Sequence, residues 1–303
     1  MTNSKNIDTF YDLIDEAVML VYNEVSTSYL QSLVRVVDGL LESLDDKGLT
    51  KETISKIEDI YKQIEKTIFS NEDIRIAFSL LAIKGLKDSS FRLDVVTPDS
   101  INFIIANIIN HFSKDGDILL DLTMGVGNLV STISNMSENK LKIIGVEQDS
   151  VLAEVSRVGC NLLEIDSLIY CNNPVDIKNL NSHIVVGDLD NLDGNEYQII
   201  LNQINSLEDD GIFVFLINND FFFNPKINEF KEMFNGKLYG LIVLPQTMFK
   251  DSSKMKSLLI GTKSEINEQM MIVNMPSLSD EDKVIDTINT VNQMIDKLKG
   301  MIR

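Results

Sequence analysis

Three acidic residues stand where short apolar runs end: Asp121 after "DILL", Glu147 after "KIIGV" and Asp188 after "HIVVG". Gly125 and Gly127 follow the first of them in "LLDLTMGVGN". Glycines after a strand let the backbone approach a ligand where a Cβ would collide, and a carboxylate at the end of the next strand can meet ribose hydroxyls. Glu147 follows Gly127 by twenty residues, the separation expected of that acid in a nucleotide-binding sheet. A tight turn and a helix cap account for the same residues without a ligand. At the second turn, however, Asp149 or Ser150 can take the cap, which frees Glu147. Asn172 and Asn173, in "YCNNPVD", close a third run; their amides suit a base edge, and a turn ahead of Pro174 explains them equally well.

Those turns need a sheet to hold them. From "FRLDVVTPDS" onward, short apolar runs alternate with amphipathic stretches, the rhythm of strand-helix units around a mostly parallel sheet. Candidate strands are 118–121, 142–147, 167–171, 183–187, 211–217, 237–244 and 257–262, with helices near 98–112, 128–135, 150–163, 195–207 and 224–233. The expected fold is α/β: a Rossmann-like, seven-stranded, doubly wound sheet with a C-terminal hairpin, over residues 93–303. Residues 1–92 read differently. Phe10, Leu13, Ile14, Val18 and Val21, then Leu30, Leu33, Val34, Val37, Leu40 and Leu41, recur at three- and four-residue spacing. They predict an all-helical N-terminal domain of four or five helices, with Thr50 as an N-cap. A final amphipathic helix carries Val284, Ile288, Val291, Met294, Ile295 and Leu298 on one side, a stripe for covering the core or meeting a partner.

Composition narrows the partners. The formal charge of −19 opposes DNA, whose binding usually needs a positive footprint, and no run of Lys or Arg announces a local one. No apolar run is long enough to cross a bilayer, and the N-terminus lacks the pattern of a secretory signal, so no membrane role and a cytoplasmic location are expected. Cys160 and Cys171 read as small buried apolar residues. With only His111 and His183 beside them, no metal site is expected.

The segment Asp121-Leu122-Thr123-Met124-Gly125-Val126-Gly127-Asn128-Leu129 resembles the S-adenosylmethionine loop of class I methyltransferases. The match is to the D-P-x-x-G-x-G-N-L form of adenine-specific DNA methyltransferases of the type I modification-subunit kind, with Leu122 in place of proline. Thr97-Pro98 is similar to that family's upstream cofactor motif, "GVEQDSVLAEVSRVGCNLLEID" to its ribose-binding strand and helix, and Leu244-Pro245-Gln246-Thr247-Met248-Phe249 to its late L-P-x-x-x-F turn. With the helical N-terminus, the order resembles the small bacterial YtxK-like members; the match is close from residue 93 to about 265 and only in outline before it. The resemblance implies S-adenosylmethionine as cofactor. Asp121, Gly125 and Gly127 would border its methionine part, Thr97 would turn a hydroxyl to its carboxylate, Glu147 would bind the ribose and Asn172 would stand near the adenine. Thr123, Asn128 and Gln148, in the same motifs, complete the implied cofactor set.

That family methylates an exocyclic amine whose lone pair is delocalised into the ring. It grips the flipped-out base with an Asn/Asp-Pro-Pro-aromatic turn after the fourth strand. By that resemblance Asp188 is the catalytic acceptor, yet no proline and no adjacent aromatic follows it: Asp190 and Leu192 occupy that ground. Seven residues separate Asp188 from Glu196, where the family has a long substrate loop. Tyr197 or the Asp220–Phe223 group could supply a substitute ring, or could simply pack. The expected function is a methyltransferase that moves a methyl group from S-adenosylmethionine to an amino group, DNA adenine by resemblance. The alternatives are a cofactor-binding scaffold without transfer and a methyltransferase acting on a small molecule or protein, which suits the acidic surface. For the helical domain, a second copy of the chain or another protein is the expected contact.

Overall fold

The three- and four-residue spacing at the N-terminus builds four helices, α1 (Ser4–Glu24), α2 (Tyr29–Leu41), α3 (Lys51–Glu65) and α4 (Asn71–Asp88), in a computed structural model that describes residues 3–89, 91, 93–190, 192, 194–249 and 255–303. Side chains satisfy the exposed amides at their starts. Ser28 and Ser70 form capping boxes with Gln31 and Asp73, and Thr50 caps α3. Phe10, Ile14, Val18, Leu30, Leu33, Ile57 and Leu81 close the core between them.

After a short 3-10 turn at Leu93–Val95 the chain alternates helix and strand: α5 (Asp99–Phe112), β1 (Ile118–Asp121), α6 (Asn128–Met136), β2 (Lys142–Glu147), α7 (Ser150–Leu162), β3 (Ser167–Cys171), β4 (Ser182–Asp188), α8 (Glu196–Ser206) and β5 (Leu207–Asn218). Then come α9 (Ile227–Met233), β6 (Lys237–Val243), β7 (Lys256–Thr262), β8 (Met271–Asn274) and α10 (Glu281–Ile302). The strands form one sheet in the order β3-β2-β1-β4-β5-β7-β6-β8. β7 alone of these is antiparallel to its neighbours on both sides. The strand order reverses at the β1–β4 pair, with β2 and β3 on one side and β4 and β5 on the other, so the carboxyl ends of β1 and β4 flank the crevice where open α/β sheets bind ligands.

All seven expected strands are present, together with an eighth, β8. It is a four-residue edge strand, apolar in sequence but mostly exposed, and it pairs parallel with β6. β5 also begins earlier than the sequence suggests, at Leu207. Cys160 is buried as expected, but Cys171 is exposed: it ends β3, the strand at the opposite edge of the sheet. The stripe of α10 faces inward, with Val291, Met294, Ile295 and Leu298 buried against α5 and the sheet. No helix among the described residues is long and apolar enough to cross a membrane.

The helical region and the sheet region share a core. Val126, Leu152, Val155 and Val158 belong to the same apolar cluster as the N-terminal helices, and a Cβ on Gly159 of α7 would press into the ring of Phe78 on α4. Arg75 of α4 ties the two regions together. Its buried guanidinium binds Glu72 (2.7 and 2.8 Å), both oxygens of Asp99 (3.2 and 3.1 Å) and Thr132 Oγ1 (3.1 Å), on α5 and α6 respectively for the last two. Arg157 of α7 makes a second link, a forked pair to Asp38 on α2. The helices are thereby fixed to the elements that carry the glycine turn.

Candidate cofactor-binding site

Asp121 ends β1 opposite Gly145 of β2 and Val186 of β4, so β2 and β4 deliver Glu147 and Asp188 to the same edge. A cavity of about 280 Å³ opens there, walled by Val95, Thr97, Asp121, Thr123, Gly125, Asn128, Glu147, Gln148, Pro174, Asp188, Asp190 and Leu192 among others. Eight of the ten residues singled out from sequence therefore meet at one hollow. Gly127 and Asn172 do not line it.

The glycine turn is built tightly. Asp121 Oδ1 accepts from Thr123 N (2.8 Å) and Thr123 Oγ1 (2.9 Å), and the amide of Gly125 donates to Glu147 Oε2 (2.9 Å). Gly125 has φ +53°, and a Cβ there would run into the carbonyl oxygen of Val95. Gly127, at φ +79°, is the left-handed residue that starts α6; a Cβ there would press on Ser156 of α7 at 3.1 Å. Close helix packing, not a ligand, requires that glycine.

Glu147 faces the cavity while its second oxygen accepts from Asp149 N (2.9 Å), and Asp149 takes the cap of α7 from Val151 and Leu152. A carboxylate offers about four lone-pair sites, so about two remain for hydroxyls. Gln148 lies at the exposed rim. Asn128 Nδ2 donates to the Thr97 carbonyl (2.6 Å) and so pins the chain before α5 to the turn. Asn172 is exposed beyond β3, its Oδ1 accepting from Asn173 N (2.8 Å), and Asn173 accepts from Val175 N (3.0 Å). These asparagines form the turn, and Pro174 takes the cavity wall.

Asp188 and Thr97 are committed to each other. The Thr97 hydroxyl donates to Asp188 Oδ2 (3.1 Å), so its single proton does not face a cofactor carboxylate, the role the family resemblance implies. Asp188 also faces the ammonium of Lys256 at 3.0 and 3.3 Å, and Lys256 reaches Asp190 Oδ2 at 3.3 Å. Lys256 was not legible as a site residue. Its one signal is a cation at the head of "KSLLIGT", a strand otherwise wholly buried and without another charge. Tyr197 and Phe221 pack edge to face at 4.8 Å and Tyr197 stacks on Phe230 at 4.5 Å, whereas Phe223 is largely exposed.

Burial and mutual repulsion shape the charges. Burial, opposed by the two Thr123 bonds and aided by Asp188 and Glu147, pushes Asp121 up to about 7. Glu147 is raised by burial against its backbone bonds, and Asp188 by burial against the Lys256 ammonium. The hollow thus gathers Asp121, Glu147, Asp188 and Asp190 and favours a cationic guest.

Comparison with known proteins agrees with this architecture. Residues 8–86 match the YtxK N-terminal helical domain family. The Bacillus subtilis (strain 168) protein YtxK is 26% identical, over 97% of this chain and 99% of its own. A Listeria monocytogenes structure described as a candidate class I S-adenosylmethionine-dependent methyltransferase superposes with a TM-score of 0.82 at 23% identity, over 97% of this chain and all of that one. The methyltransferase subunit of a Streptococcus thermophilus type I restriction-modification system gives 0.64 at 15% identity, over 93% and 74%. Residues 8–86 thus match a YtxK-like N-terminal helical domain, and the chain has the fold of the class I S-adenosylmethionine-dependent methyltransferases.

Proposed function

We propose that this protein binds S-adenosylmethionine in the cavity beside the glycine turn and is a methyltransferase of the adenine-specific DNA methyltransferase family. The observation that carries the cofactor assignment is the convergence of Asp121, Glu147, Asp188 and Asp190 on one hollow at the switch point of the sheet. The bound cofactor would supply a methyl group on a sulfonium cation, which an acid-walled site attracts. Glu147 is the residue to hold the ribose, Thr123 and Gly125 border the methionine part, and Leu129, Pro174 and Leu192 offer apolar walls to the base. Transfer to the amino group of DNA adenine follows from the sequence resemblance, with Asp188 as the group that would grip the amine. A second reading, a cofactor-binding scaffold without transfer, draws support from the Lys256 ammonium already on Asp188 and from the −19 charge.

Calorimetric titration with S-adenosylmethionine tests the assignment. Saturable binding is expected, weakened about tenfold or more (about 1.4 kcal/mol) by Glu147→Ala; no binding by the wild-type chain would sink it. Methyl incorporation from labelled cofactor into duplex DNA then separates the enzyme from the scaffold.

The acidic wall predicts a pH dependence with a definite sign. Asp121 rises from an unfolded value near 3.8 to about 7, so it is protonated in the folded chain below pH 7. Folding therefore binds a proton between about pH 4 and pH 7, and the stability this group contributes falls as pH rises through that window. Cofactor binding runs the other way, since the cation prefers ionised Asp121 beside Glu147 and Asp188. The thermal stabilisation conferred by S-adenosylmethionine should grow from pH 6 to pH 8, and Asp121→Asn should flatten the profile.

A further inference from the structure

Lys256 stands at the start of β7, opposite Asn218 of β5 in the ladder, which places its ammonium at the carboxyl edge of β4. Two carboxylates, Asp188 and Asp190, hold it, and both line the cavity. Asp188 is completed by the Thr97 hydroxyl and the Asp190 amide (3.3 Å), and Asp190 Oδ1 accepts from Asn218 Nδ2 (2.9 Å). The side chains of Lys256 and Asp188 are each 10% exposed. Two buried carboxylates next to Asp121 and Glu147 would be costly without a cation, and a lysine ammonium is compact enough to face both. A primary amine is also what the acceptor side of such a cavity would have to grip.

Resting on the cofactor reading above, we infer that Lys256 is a built-in occupant of the acceptor amine's place: Asp188, Asp190 and Thr97 form a primary-ammonium pocket closed from within. An incoming amine must displace the lysine before it can reach Asp188. The resting chain accordingly holds cofactor without an acceptor beside it.

Lys256→Ala removes three methylenes and an ammonium, the atoms of n-propylammonium, and chemical rescue follows from that. Without cofactor, n-propylammonium chloride should raise the melting temperature of Lys256→Ala by about 2–4 °C, in a saturable manner. Wild type, with its own ammonium in place, and Lys256→Met, whose thioether fills the space, should not respond. Equal responses from all three chains, or an equal effect of n-propanol, would overturn the inference. Should Lys256→Ala fail to fold, refolding with and without the amine gives the same reading: folded yield confined to the amine supports the pocket, and equal yields reject it. Methylation of Lys256 itself by labelled cofactor would also reject it, since the lysine would then be an acceptor. Because the rescue arm contains no cofactor, its failure is distinct from failed cofactor binding by wild type, which would overturn only the cofactor reading.

Discussion

Arg75→Met is expected to cost the folded chain about 3 kcal/mol, read as a shift in the urea midpoint at constant slope. The guanidinium is fully buried and donates to Glu72, Asp99 and Thr132 from three helices; methionine matches much of its volume and none of its donors. Removing it leaves acceptors beside the interface with no cation. Glu72 and Asp99 are partly exposed, at 23% and 42%, so water recovers some of the loss and the lower end of the range for a broken buried pair applies. The effect should reach the site, because Thr132 lies on α6, the helix that Gly127 starts, and Asp99 begins α5 just after Thr97. Cofactor affinity and stability are predicted to fall together. A loss under about 1 kcal/mol would mean that the shared apolar core of α4, α6 and α7 holds the two regions alone.

The second large effect is local. Gly125→Val should lower S-adenosylmethionine affinity at least a hundredfold, about 2.7 kcal/mol or more, in the same titration. A β-branched residue at φ +53° is strained by about 1–3 kcal/mol, and its Cβ would strike the Val95 carbonyl. The turn must then move, and the amide that holds Glu147 moves with it. Gly127→Ala provides the contrast. It should cost stability through Ser156 and the left-handed φ while affecting affinity less, because that residue does not wall the cavity. Equal losses of affinity from the two variants would contradict the distinct duties of the two glycines.

The centre of the sheet was legible because β1, β2 and β4 are short, largely buried apolar runs between turn residues, and burial on both faces writes that pattern directly. β8 escaped because it is only four residues long and follows β7 directly, outside the strand-helix rhythm. Cavity-lining residues within one turn, such as Asp121 and Gly125, could be read from spacing, since local geometry relates them, whereas Thr123 came only with the family resemblance. Asn172 shows the limit: it follows β3, but it is exposed and not on the cavity wall, its Oδ1 accepting from Asn173 N while Asn173 forms the Asx turn to Val175.

By itself the sequence determined that a helical segment precedes an α/β domain and that acids end three neighbouring strands, because periodicity and turn chemistry are local properties. Only the tertiary structure decided what Asp188 touches. β7 runs against its neighbours, so its first residue, and not its last, lies at the carboxyl edge of β4 and β5. Lys256, 68 residues beyond Asp188 in the chain, is thereby set between Asp188 and Asp190. That β7 is inserted between β5 and β6 is a property of the assembled sheet, and no spacing along the chain encodes it.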